Sequence, residues 1–136
     1  MAVTPPFIAT AYVALGGAIG AVLRHQLGRG MTGWLGPQMV TSFPYATLAA
    51  NVAGSLAMGL LAGWMARHGD GGSDHWRLFL GVGVLGGFTT FSAFSLEMMM
   101  LIERGEPLTA VTYAAVSLLA GLTALYVGLI VMRVAA

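Results

Sequence analysis

Asn51, Thr89, Thr90, Ser92, Ser95, Glu97, Tyr113 and Ser117 are polar side chains set into stretches that are otherwise almost entirely apolar. Polar groups at such positions are costly, and they turn toward a bundle interior or a pathway. Asn51, Ser55 and Gly59 are spaced by four, with Thr47 one turn earlier, so a helix would carry them on one face. An amide offers two N–H donors and one carbonyl acceptor. At that depth it serves either as an interhelical hydrogen bond or as a ligand for something passing through.

Gly81 to Ser95 reads GVGVLGGFTTFSAFS, four glycines within seven residues followed by two threonines. Each glycine weakens a helix by roughly 1 kcal/mol relative to alanine, and threonine hydroxyls compete with the helical ladder for backbone groups. The pattern predicts a helix break near Gly86 to Thr90. Non-helical backbone at membrane depth is tolerated only where it is buried or lines a cavity. Such a break frees carbonyl oxygens, which hard cations accept as ligands. Phe88, Phe91 and Phe94 recur every three residues, as do Ser92 and Ser95. A stripe of this kind is ordinarily packing, but the rim of an aromatic ring is its positive part. Ring edges beside serine hydroxyls therefore offer a small anion the weak, repeated contact that conduction needs.

Tyr113, Ser117 and Gly121 form a third polar face, with Thr109 and Thr112 nearby; alone it reads as packing. Glu97 is the one carboxylate within an apolar stretch, and pairing with an arginine or snorkelling to the surface is the simple expectation for it. Arg24 is its candidate partner, or else a positive lining for a vestibule. His25, His68 and His75 are not spaced as ligands of one metal.

The elements that must position these groups follow from composition. Of 136 residues, 57% are hydrophobic and 8% charged, against about 25% charged in a soluble domain. Crossing roughly 30 Å of hydrocarbon takes about 20 apolar residues, and four segments qualify, at about 7–27, 45–66, 78–102 and 108–132. The expected fold is an all-α integral membrane protein, a single domain of four transmembrane helices with the third broken near its middle. A cleaved signal peptide is disfavoured because residues 1–23 are uncharged. Residues 29–44 leave room for a short interfacial segment. Arg67 to Arg77, with its Gly-Asp-Gly-Gly turn at Gly69 to Gly72, reads as a solvated loop.

Orientation ordinarily follows arginine and lysine counts. There is no lysine, and Arg67, Arg77 and Arg133 on one side balance Arg24, Arg29 and Arg104 on the other. The rule then gives no preferred orientation: either another signal decides or both orientations insert, and a chain that inserts both ways can pair with its own inverted copy. Four helices enclose little more than a packed core, so a conduit is more easily built between two copies. Gly16 with Gly20, Ala50 with Gly54, and Gly59 with Gly63 provide small-xxx-small faces, for packing either within one chain or between two.

The net charge of +1 gives no electrostatic case for nucleic acid, and the absence of cysteine excludes disulfides and thiolate metal sites. Without a nucleophile and base, or paired carboxylates, at depth, an intramembrane enzyme lacks its machinery. What remains is a passive channel, a small coupled transporter or a structural subunit. The small multidrug-resistance exporters share four helices and dual insertion, but they rely on a glutamate in the first helix, which this chain lacks.

Three blocks then carry a specific resemblance: Gly16-Gly17-Ala18-Ile19-Gly20-Ala21-Val22-Leu23-Arg24, Asn51-Val52-Ala53-Gly54-Ser55, and Gly86-Gly87-Phe88-Thr89-Thr90-Phe91-Ser92-Ala93-Phe94-Ser95 with Glu97. The sequence resembles the Fluc (CrcB) family of bacterial fluoride channels over essentially its whole length. The resemblance implies an antiparallel, dual-topology homodimer in the inner (plasma) membrane of a bacterium, with two fluoride pores along the subunit interface. It implies a structural Na⁺ at the paired breaks, held by backbone carbonyls matching Gly86 and Thr89. It assigns Asn51, Phe91 and Phe94 to the pore and Thr47, Ser95, Tyr113 and Ser117 to the polar track. Gly121 stands where relatives can carry a hydroxyl, and Ala93 replaces a common Thr or Ser.

Overall fold

A computed structural model describes residues 4–68 and 74–135. The chain forms α1 (Pro6–Leu35), α2 (Pro37–Ser42), α3 (Tyr45–Arg67), α4 (Asp74–Trp76), a π-helical stretch (Arg77–Leu85), α5 (Gly86–Phe88), α6 (Phe91–Glu103) and α7 (Pro107–Val134). Among the described residues, four helical segments are long and apolar enough to cross a membrane: Pro6–Leu35, Tyr45–Arg67, Asp74–Glu103 and Pro107–Val134. In none of them is more than 22% of the most apolar window buried within the chain. The apolar side chains therefore face outward, as lipid requires, and the chain is a multi-pass membrane protein.

α1 runs eight residues beyond the expected end at residue 27. Gly28, Gly30 and Gly33 do not stop it. It ends at Gly36, whose φ of +84° suits glycine, immediately before Pro37, whose ring disfavours helical backbone in the preceding residue. Pro37 then opens α2, a position where its missing N–H costs nothing. The expected loop from Arg67 to Arg77 is also too long: α3 includes Arg67, and helix resumes at Asp74, where Arg77 pairs with Asp74 at 2.8 Å one turn away. The turn at residues 69–72 lies outside the described residues.

The four spans associate as two pairs. α1 packs along the π-helical stretch and α5, while α3 packs along α7. Lipid tails are as apolar as leucine, so close backbone approach has to supply the attraction. A Cβ on Gly16 would meet the backbone of Phe79, Gly83 and Val84, and one on Gly59 the backbone of Leu125. Gly128 faces the α3 backbone at Leu56 and Leu60 in return. These glycine faces are thus occupied by packing within one chain. A small apolar core of Leu101, Ala110 and Tyr113, with Phe43, Leu48, Phe94 and Met98 against it, locks α6 to α7 and α3.

Close to the middle of the third span the helix is interrupted. Thr89 (φ −82°, ψ 158°) and Thr90 (φ −154°, ψ 121°) are extended. α6 restarts because the Thr90 hydroxyl accepts the Ala93 amide at 3.2 Å, an N-cap made by one of the residues best suited to it.

Candidate functional site

Asn51 faces the interruption from α3. Its Oδ1 accepts the Thr90 backbone N–H at 2.8 Å, and its Nδ2 donates to the Thr90 carbonyl at 3.1 Å. The side-chain amide therefore pairs with Thr90 as a neighbouring strand would, and one of its two N–H donors remains for another partner. Gly54, one turn on, makes room for this: a Cβ there would run into the Thr89 methyl group.

The latch leaves carbonyls without their helical donors. In a continuous helix the Thr90 amide would serve the Gly86 carbonyl, but it is turned to Asn51. The Ala93 amide would serve Thr89, but it is turned to the Thr90 hydroxyl. Leu85 keeps its bond from the Thr89 amide at 3.0 Å, and the Gly87 carbonyl accepts from Arg24 Nε at 3.3 Å. Gly86 and Thr89 are thus left with oxygens free, and Gly86 lies on the outer surface of the chain. Oxygen-only donors of this kind suit a hard cation.

Arg24 sits with its guanidinium at Gly87 rather than at Glu97. It lines a cavity of about 740 Å³ together with His25, Arg29, Thr47, Thr90 and Glu97. Glu97 itself is held by two hydroxyls. Thr47 donates to Oε1 at 2.7 Å and Tyr113 donates to Oε2 at 2.8 Å. The expectation of an arginine partner for Glu97 is therefore replaced by a cluster joining α3, α6 and α7. Thr47 and Tyr113 were legible as separate polar faces. Their convergence on Glu97 was not, because it depends on how three helices rotate about their axes.

Phe91, Phe94 and Tyr113 make a file of rings, with centroids 5.8 Å apart for the first pair and 5.0 Å for the second. The file runs from the surface inward, Phe91 being 79% exposed and Tyr113 fully buried. At its outer end Asn51, Ser55, Thr89, Thr90 and Phe91 line a cavity of about 310 Å³. At its inner end Glu97 lines the 740 Å³ cavity and also one of about 220 Å³ shared with Thr41, Met100 and Arg104. Ser95 turns its hydroxyl to the Phe91 carbonyl at 2.9 Å, within its own helix. Ser117, one turn beyond Tyr113, has a buried hydroxyl with no hydrogen-bond partner among the described residues.

An unpartnered buried hydroxyl costs about 1–3 kcal/mol, so Ser117 is placed at the expense of stability. Exchange for alanine should therefore leave the melting temperature in detergent unchanged or raised. If the hydroxyl serves a passing ion, the same exchange should lower ion flux severalfold in liposomes. Lower stability with full flux would make Ser117 a packing residue.

Comparison with known proteins adds to this geometry. Residues 11–129 match the family model described as CrcB-like protein, Camphor Resistance (CrcB). A protein of Erythrobacter litoralis named fluoride-specific ion channel FluC is 55% identical over 133 residues, covering 98% of each chain. One of Novosphingobium aromaticivorans with the same name is 59% identical over 125 residues, 92% of this chain and 96% of the relative. Another from Caulobacter vibrioides is 48% identical over 121 residues, 89% and 92% of the two chains.

Proposed function

Because the chain belongs to the CrcB family, we propose that it is a fluoride-selective passive channel, working as an antiparallel homodimer in the bacterial inner membrane and lowering fluoride toxicity. One observation carries the reading. Backbone freed at mid-membrane, with Gly86 and Phe91 beside it, faces outward from the single chain, next to a file of rings and hydroxyls that leads inward. Unpaired carbonyls do not face lipid, so something must cover them, and a second copy is the partner the sequence favours. The balanced arginines allow that copy to be inverted.

Two copies meeting at this face would bring four oxygens together, two from Gly86 and two from Thr89. That donor set fits Na⁺, which when bound supplies a compensating positive charge for the freed carbonyls. The ion pathway is then separate from it. Asn51 keeps one N–H to offer in the outer cavity. Phe91 and Phe94 present ring edges, which attract a small anion weakly enough for it to leave. Ser117 offers an unoccupied hydroxyl. Thr47 and Tyr113 continue the polar track beyond the rings, their hydroxyls oriented by Glu97. Arg24 and Arg29 raise the local anion concentration at the wide cavity without closing on the ion. Lacking any energy source, the path runs downhill, and a membrane potential of 100 mV drives one charge outward by about 2.3 kcal/mol.

The decisive experiment is efflux from liposomes holding the purified protein, with valinomycin clamping potassium and chloride as the control anion. Rapid fluoride release with little chloride release is expected. A folded dimer that releases neither ion would overturn the reading and leave a coupled transporter, with Glu97 as the residue to change. Phe91→Ile and Phe94→Ile should each cut fluoride flux by about tenfold, equivalent to ~1.4 kcal/mol of barrier, while the dimer stays folded. Full flux in both would remove the rings from the pathway.

A further inference from the structure

We propose that the apolar groove between α3, the start of the third span and α7 is a binding site for an anionic phospholipid, with one acyl chain in the groove and the phosphate at its cationic rim. This site lies away from the ion pathway and does not depend on what the chain conducts. Leu60, Leu61, Trp64, Trp76, Leu80 and Met132 line a groove of about 400 Å³. It lies between the two helix pairs, α3 with α7 on one side and the π-helical stretch with α1 on the other. The groove ends where α3 finishes at Arg67 and α4 begins at Asp74. The ends of two spans mark the membrane–water boundary, a depth that tryptophan favours.

The rim is basic on the side where a headgroup would sit. Arg67 Nη1 donates to the Met132 carbonyl, so its charge stands at the groove against a neutral partner. His68 stacks on Trp64 with centroids 5.3 Å apart, and His75 lies 5.8 Å from Trp76. Arg77 is paired with Asp74, which leaves Arg67 as the cation held by a backbone carbonyl beside the groove; Asp70, in the connector, lies outside the described residues. An acyl chain alone gains little by leaving other acyl chains, so the charge has to provide selectivity. One arginine at the surface of an anionic leaflet corresponds to about a fivefold preference, or ~1 kcal/mol.

Tryptophan quenching tests this directly. With Trp34→Phe as background, Trp64 and Trp76 report on the groove. The full chain is placed in phosphatidylcholine vesicles carrying a minor fraction of acyl-brominated phosphatidylglycerol or, separately, acyl-brominated phosphatidylcholine. The expected result is about fivefold stronger quenching per mole by the anionic lipid, close to parity in Arg67→Gln, and a preference in the unaltered rim that falls as salt is raised. The salt series needs no substitution at the rim, so it decides the matter even where Arg67→Gln folds poorly. Equal quenching by both lipids would mean ordinary surrounding lipid and overturn the proposal. A preference that persists in Arg67→Gln and at high salt would overturn the assigned rim. Protection from both lipids would show the groove covered by protein, a second copy being the first candidate, and would likewise overturn the proposal.

Discussion

Asn51→Leu should lower fluoride efflux from liposomes by at least about a hundredfold, some 2.7 kcal/mol of added barrier, and should destabilise the chain as well. Leucine nearly matches asparagine in size but neither donates nor accepts. It would strand the Thr90 N–H and carbonyl, now held at 2.8 and 3.1 Å, and remove the spare donor from the outer cavity. An unpaired buried group costs about 1–3 kcal/mol. Within a membrane the unfolded reference finds partners too, so a stability loss of about 2 kcal/mol is the reasonable expectation for the pair. The straightforward escape for Thr90 is to return its amide to Gly86, which would mend the helix and withdraw a freed carbonyl. Efflux and thermal unfolding in detergent check the two effects separately. Intact efflux in Asn51→Leu would show that the latch is dispensable.

Gly20→Ala should destabilise the chain by about 3 kcal/mol, whereas Gly17→Ala, three residues away on the same helix, should be close to neutral. A Cβ on Gly20 would stand 2.7 Å from the Phe88 amide nitrogen and 3.0 Å from the Gly87 carbonyl carbon, and would press on the Val84 carbonyl as well. These are backbone atoms on a neighbouring span and cannot turn aside. Overpacking ordinarily costs about 1–3 kcal/mol, and contact with main chain places this case at the upper end. Gly17 has nothing within 4 Å of its would-be Cβ, and alanine there gains up to about 1 kcal/mol of helix propensity. Size-exclusion profiles and melting curves of the two variants form a matched pair. Similar behaviour of both would mean that α1 does not hold the third span as closely as the geometry requires.

The spans were legible because hydropathy needs only length and composition. Tyr45 to Ala66 was expected, and the helix runs from Tyr45 to Arg67. α1 continues past residue 27 to Leu35 because Gly28, Gly30 and Gly33 do not end it, and Gly36-Pro37 is the pair that does. The interruption was readable as a region, since glycine and threonine weaken a helix locally. Its position at Thr89 and Thr90 depends on Asn51, 39 residues away, and no local pattern encodes that. One signal went unused: Thr90 three residues before Ala93 at the start of an apolar run is an N-cap pattern. The pairing of Glu97 with Thr47 and Tyr113 stayed hidden for the same reason as the latch. Each residue sits on a different helix, and charge alone pointed to arginine.

The latch also sets an order of events during synthesis. Asn51 leaves the ribosome well before Thr90, yet the bond between them cannot form until both spans lie side by side in the bilayer. Until then the helical partner open to the Thr90 amide is the Gly86 carbonyl, four residues back in the same span. The latched form of the interruption is therefore a property of two spans together, and it cannot be complete before the second has docked against the third.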